Sequence, residues 1–138
     1  MKPNEIMIGD WVRRRYITKP SGQEVVRDFR VDQIRRLFKD DEPDVWGDNG
    51  NMGTAEQMEP IPLTPEILEK NGWENSAPGV WQKEYGGFIF YWEEGTGRFG
   101  MDDFRYLQEQ WKIHLQIKHT HELQHALRLC GIEKEVVL

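Results

Sequence analysis

The order of apolar and polar positions divides this chain near Pro60-Ile61-Pro62-Leu63-Thr64-Pro65. Three prolines in six residues sustain neither a helix nor a central strand, so the stretch reads as an extended connector. Before it, β features dominate. Gly9-Asp10 leads into a strand from Trp11 to Ile17, and Lys19-Pro20-Ser21-Gly22 marks a turn. Val25 to Phe38 is rich in β-branched and aromatic residues and predicts one long strand, or two separated by a bulge. The acidic run Asp40-Asp41-Glu42-Pro43 reads as a loop. A short strand at Val45-Trp46, a turn over residues 47–51 and one helical turn from Ala55 to Met58 complete this part. Four or five short strands in some 60 residues cannot bury a face as an open sheet, so residues 1–62 predict a small SH3-like β-barrel.

After the connector, Thr64 is placed to cap a short helix with Pro65 at its first position, and Asn71-Gly72 to end it. Val80–Tyr85 and Phe88–Glu93, joined by Gly86-Gly87, predict a hairpin, and Arg98 to Met101 a third strand. Trp111 to Lys118 alternates apolar and polar without exception, the signature of a strand with one buried face. A helix from about Thr120 to Cys130, with Gly131 at its C-terminal end, closes the chain. The expected architecture is mainly β with an α+β C-terminal part: the barrel, then at 63–138 an antiparallel meander closed by the final helix.

Composition fits an ordered protein: 38% of the 138 residues are hydrophobic and six are Trp, too apolar for a disordered chain. No run approaches a membrane span, and the N-terminus lacks the apolar core of a secretory signal. The single Cys130 cannot form an internal disulfide. Together these imply the cytoplasm and no membrane partner.

The net charge of −6 weighs against a dedicated nucleic-acid binder, but its distribution is uneven. Residues 1–39 carry ten Lys/Arg against five Asp/Glu, and residues 40–62 carry seven acids and no bases. Arg13, Arg15, Arg27, Arg30, Arg35 and Arg36, interleaved with Trp11, Tyr16, Phe29 and Phe38, could form a phosphate-contacting surface. The plainer expectation is that these charges pair across adjacent strands while the aromatics build the core.

One string names a chemistry. His121-Glu122-Leu123-Gln124-His125 is an H-E-x-x-H motif, in which two helical histidines grip zinc and the glutamate acts as base. At about 100° per residue, Leu123, Ala126, Leu127 and Cys130 share one face. His121, Gln124, His125 and Arg128 fall on the other. A catalytic zinc also requires a third ligand. No histidine follows His125, Arg128 and Gly131 replace the metzincin glycine and histidine, and His114 and His119 are weak substitutes. The expectation is a solvent-facing histidine pair, with Glu122 in the first helical turn where it suits the dipole. No catalytic or metal residue is assigned, the alternative being Glu122 as base with His121 and His125 on zinc.

Other candidates are thinner. Ser21 and Ser76 lack a nucleophile elbow, and Cys130 falls on the apolar face. Asp102-Asp103 and Glu93-Glu94 are adjacent pairs, which point to opposite faces in extended chain. Gly95-Thr96-Gly97-Arg98-Phe99-Gly100 matches the phosphate-binding glycine pattern by letter but precedes no helix.

Three stretches carry a resemblance: Asn4 through Val12, Glu59 through Thr64 with Ile67-Leu68 and Gly72-Trp73, and His121-Glu122-Leu123-Gln124 through Gly131. In order and spacing the chain resembles short proteins of Bacteroides-type bacteria and their phages or mobile elements. Such proteins often carry Gln in place of Glu122 and Asn in place of His125. The resemblance implies a structural closing helix, no assigned catalytic residues and an accessory role. The combined expectation is a non-enzymatic protein- or peptide-binding module with no cofactor, engaging its partner through Trp11, Arg13, Arg15 and Trp46. Its alternatives are a zinc metallopeptidase and a nucleic-acid binder using the basic N-terminal strands.

Overall fold

The computed structural model describes residues 1–36, 42–103 and 115–138. Phe38, the Asp40-Asp41 pair and Trp111 to His114 lie outside the described residues. The chain is mainly β, with 45% strand and 18% helix in two antiparallel sheets and a C-terminal helix. It forms two compact units, Met1–Ile61 and Pro62–Leu138.

The N-terminal unit holds β1 (Trp11–Ile17), β2 (Glu24–Arg35), β3 (Asp44–Gly47), β4 (Met52–Thr54) and β5 (Met58–Pro60), in the order β4-β3-β2-β1-β5. Val12 lies opposite Phe29 and near Met58, and period-two alternation turns these residues inward with Val31 and Val45. The register of β2 against β3 shifts between Val31 and Gln33. That bulge bends the strand, so its first half serves β1 and its second half β3. A 3-10 turn at Ala55–Gln57 links β4 to β5, and the Gln57 side chain accepts the Thr54 N–H at 3.1 Å.

The sheet curls. Arg14 on β1 donates to the Met52 carbonyl on β4, although β2 and β3 lie between those strands in the sheet order. Among the described residues no strand pairing joins β4 to β5, so the sheet is not closed by hydrogen bonds.

The C-terminal unit contains α1 (Pro65–Lys70), β6 (Glu74–Ala77), β7 (Val80–Tyr85), β8 (Phe88–Glu93), β9 (Arg98–Asp103), β10 (Leu115–Gln116) and α2 (Thr120–Leu129). Its sheet order is β10-β9-β8-β7-β6. The Thr64 hydroxyl accepts the Ile67 N–H, and Pro65 opens α1 as its spacing predicts. Gly86 and Gly87 both adopt positive φ, 59° and 86°, which the tight turn of the β7–β8 hairpin demands. Trp81, Phe90, Trp92 and Phe99 share one sheet face and form a core with Leu68 of α1 and Leu123, Ala126 and Leu127 of α2.

The alternating segment before the final helix behaves differently from its pattern. Of its described residues only Leu115 and Gln116 pair, as β10 against β9. Leu115 is 43% exposed whereas Ile117 is 2% exposed, so the two do not share a buried face. Ile117 has left the ladder: its N–H donates to the Gly97 carbonyl at 2.7 Å, and its carbonyl accepts the Trp92 indole at 2.9 Å.

Past α2 the chain returns along the helix, held by two side-chain amides. Gln124 accepts the Val136 N–H at 2.7 Å and donates to the Lys134 carbonyl at 3.2 Å. Asn71 accepts the Val137 N–H at 2.9 Å and donates at 2.7 Å to the carbonyls of both Val137 and Ile67. Each amide does for the tail what a neighbouring strand would do, and Val136 inserts into the core.

Replacing Gln124 by Ala removes the buried hydrogen bond that its side chain accepts from the Val136 N–H, at a cost of about 1–3 kcal/mol. Urea unfolding should show that loss, and hydrogen exchange should show faster labelling at Val136. Unchanged exchange there would mean the tail is held by apolar packing alone.

Candidate functional site

Two places were singled out by the sequence, the final helix and the outer face of β1. The helix begins with a reciprocal cap. Glu122, three residues into the turn from His119, accepts the backbone N–H of Lys118 at 2.7 Å and of His119 at 2.9 Å. Its other oxygen lies 3.4 Å from His119 Nδ1. Burial raises its pKa, but the two backbone N–H groups and His119 outweigh that, and the net shift is downward. A carboxylate engaged by two backbone N–H groups is poorly placed to take a proton from a metal-bound water.

The expected exposure of the histidine face is corrected by the structure. His121 is 7% exposed and Gln124 3%, and the returning tail meets Gln124 on the face that a helical wheel leaves open. His125, Arg128 and Glu122 remain partly exposed, and Leu129 between them is 86% exposed. The rings of His119 and His121 stack with centroids 5.7 Å apart, and His121 meets His125 edge to face at 5.6 Å. Among the described residues no group of three or more His, Cys, Asp or Glu is arranged to hold a metal ion. His114, the other possible ligand, lies outside the described residues.

Cys130 is half-buried and its thiol pKa is raised by burial, which suppresses the reactive thiolate. The glycine-rich stretch Gly95 to Gly100 forms the β8–β9 turn and the start of β9. Gly97, at φ 71°, has the Ile117 carbonyl 2.7 Å from where a Cβ would sit, so it serves close packing rather than a phosphate.

Trp11, Arg13 and Arg15 share the outer face of β1. Arg13 makes a two-pronged pair with Asp28 at 2.7 and 2.8 Å. Arg15 reaches Glu59 at 2.9 Å and Glu24 at 3.3 Å. Both guanidinium pKa values are raised, first by these hydrogen bonds. Of the arginines offered by the sequence as phosphate contacts, Arg13 and Arg15 are thus matched by carboxylates on β2 and β5. Trp46 is separated from β1 by the whole of β2. Its ring instead lies 5.8 Å from the Arg35 guanidinium, and it stands in a cross-strand row with Gln33 and Met52.

Arg14 was absent from that reading, although the alternation that sends Val12 inward sends Arg14 inward too. Its guanidinium lies 5.3 Å from the Tyr16 ring centroid and donates to the Met52 carbonyl.

The lowered pKa of Glu122 fixes the sign of a pH effect. Its carboxylate contributes stability above the unfolded-state value, about 4.3, and the contribution vanishes as pH falls through the lower folded-state value. Glu122→Ala should therefore be destabilising at pH 7, by about 0.5–1 kcal/mol, with the gap from wild type closing below about pH 4. A gap independent of pH in paired urea titrations would contradict the capping role. The chain matches no known protein family, no curated protein and no solved structure.

Proposed function

We propose that the chain is a non-enzymatic protein- or peptide-binding module whose N-terminal unit is an SH3-like β-barrel. The barrel reading is supported by β1 lying between β2 and β5, by the bulged β2 shared between two partners, and by the 3-10 turn between β4 and β5. The reach of Arg14 across to β4 supports the curl.

The observation that carries the binding reading is the row on β2, β3 and β4. The partly exposed Trp46 indole is flanked by Met52, 38% exposed, with the Arg35 guanidinium against the ring. Aromatic, methionine and arginine side chains together on a sheet face suit an extended peptide: broad apolar area with little side-chain entropy to lose, and a cation to orient the chain. Catalysis is less well supported, since Glu122 is engaged by the helix cap. Lack of a disulfide partner for Cys130 supports a reducing compartment such as the cytoplasm, and among the described residues no helix is long and apolar enough to cross a membrane. An accessory role in phage or mobile-element biology rests on the sequence resemblance.

Selection of a random peptide display library on the purified protein should enrich binders, and Trp46→Ala should weaken them at least tenfold, about 1.4 kcal/mol, with an unchanged circular dichroism spectrum. No enrichment, or enrichment indifferent to Trp46, would overturn this reading. So would stoichiometric zinc in the purified protein that is lost in His125→Ala.

A further inference from the structure

The inward face of β1 and β2 changes character along its length. Val12 opposite Phe29 is fully buried. The next pair on that face is Arg14 opposite Arg27, and the next is Tyr16 opposite Val25. Two like charges directly opposite in an antiparallel pair repel one another. On the outer face of the same two strands, Arg13 and Arg15 each have carboxylates. Arg14 and Arg27 have none among the described residues: Arg14 holds the Met52 carbonyl and the Tyr16 ring, and Arg27 only the Val26 carbonyl at 3.4 Å.

Arg14 is also held in place. Its Nε lies 3.2 Å from where a Cβ on Gly53 would sit, with Gln57 Oε1 at 2.7 Å and Met58 Cε at 2.9 Å. Gly53 does not adopt a positive φ, and a Cβ there would meet the ends of three flexible side chains that can shift to admit it. The result is one anchored guanidinium, a second and more exposed one across from it, and an aromatic–aliphatic pair beside both.

The geometry points to this arginine pair as a carboxylate-binding site for an acidic peptide, with Tyr16 and Val25 receiving an adjacent apolar side chain. Guanidinium forks match carboxylates two bonds at a time, and an anion between the two would turn a repulsive pair into an attractive one. Residues 1–61 carry twelve acids against ten bases, so the unit as a whole attracts no anion and a carboxylate must be held locally by the arginine pair. The neighbouring Arg13 and Arg15 are matched already and cannot extend a phosphate track. This inference rests on the peptide-binding reading of the N-terminal unit and adds a place and a ligand chemistry to it.

Fluorescence anisotropy with labelled hexaglutamate and the full chain tests it, with hexaglutamine and a twelve-nucleotide oligothymidylate as the other arms. Saturable hexaglutamate binding is expected, weakened at least tenfold by Arg14→Gln and by Arg27→Gln, but less than twofold by Lys134→Gln, which removes the same charge elsewhere. Arg27→Gln should keep or raise the melting temperature, since it removes a repulsion, and so separates lost binding from lost folding. No hexaglutamate binding, equal weakening by Lys134→Gln, or tighter Arg14-dependent binding of oligothymidylate would overturn the proposal. If Trp46-dependent library peptides are found while hexaglutamate fails, only the carboxylate site falls and the broader binding reading stands.

Discussion

The register of β1 against β2 sets the character of the N-terminal unit. With Val12 opposite Phe29, every second residue of both strands faces the core or its rim, and the others face outward. A slip of one position would send Arg13 and Asp28 to the interior and Val12 and Phe29 to solvent, exchanging an apolar core for buried charge. Because register is so constrained, the outer charges fall into complementary positions: Asp28 lies directly opposite Arg13, and Glu59 is within reach of Arg15. The same constraint leaves Arg14 facing Arg27. One pairing thus produces both a neutralised face and an unneutralised rim.

Much of the fold was legible because its signals are local. Thr64-Pro65 and Asn71-Gly72 bound α1, Gly86-Gly87 joins β7 to β8, and Ala55–Gln57 forms a single 3-10 turn, all as their chemistry requires. The long β2 with its bulge also follows from the run of β-branched and aromatic residues. The elements that escaped notice are those without periodic pattern. β6 is exposed at all four positions, so it has no apolar face to read. β4 and β5 are three residues each and exist because neighbours offer them a ladder. Of the candidate surface, Arg13 and Arg15 were found but not their partners, since Glu59 lies 44 residues from Arg15 in the chain.

The final helix shows how one short string can satisfy two different physical demands. A glutamate two residues into a helix that begins at Thr120 stands where it can accept the free N–H groups of the first turn. The same position relative to two histidines is where a metallopeptidase keeps its base. A wheel drawn from α2 alone separates the apolar residues from His121 and Gln124, and it is blind to chain that arrives later. Gln124 is buried because residues 134–136 come back to meet it, a tertiary event with no trace in helical spacing.

The amide of Asn71 makes three hydrogen bonds, two of them to the tail, while the N–H of the following Gly72 donates to the Glu69 carbonyl at 2.9 Å. Replacement of that amide by a carboxylate, as in Asn71→Asp, would keep the acceptor and remove the donor. The carboxylate could still accept the Val137 N–H but would confront the carbonyls of Ile67 and Val137 with negative charge where the amide now donates to them. The seam between the first helix and the last residues therefore depends on a neutral group that can both give and receive a hydrogen bond, which no charged side chain of the same size would supply.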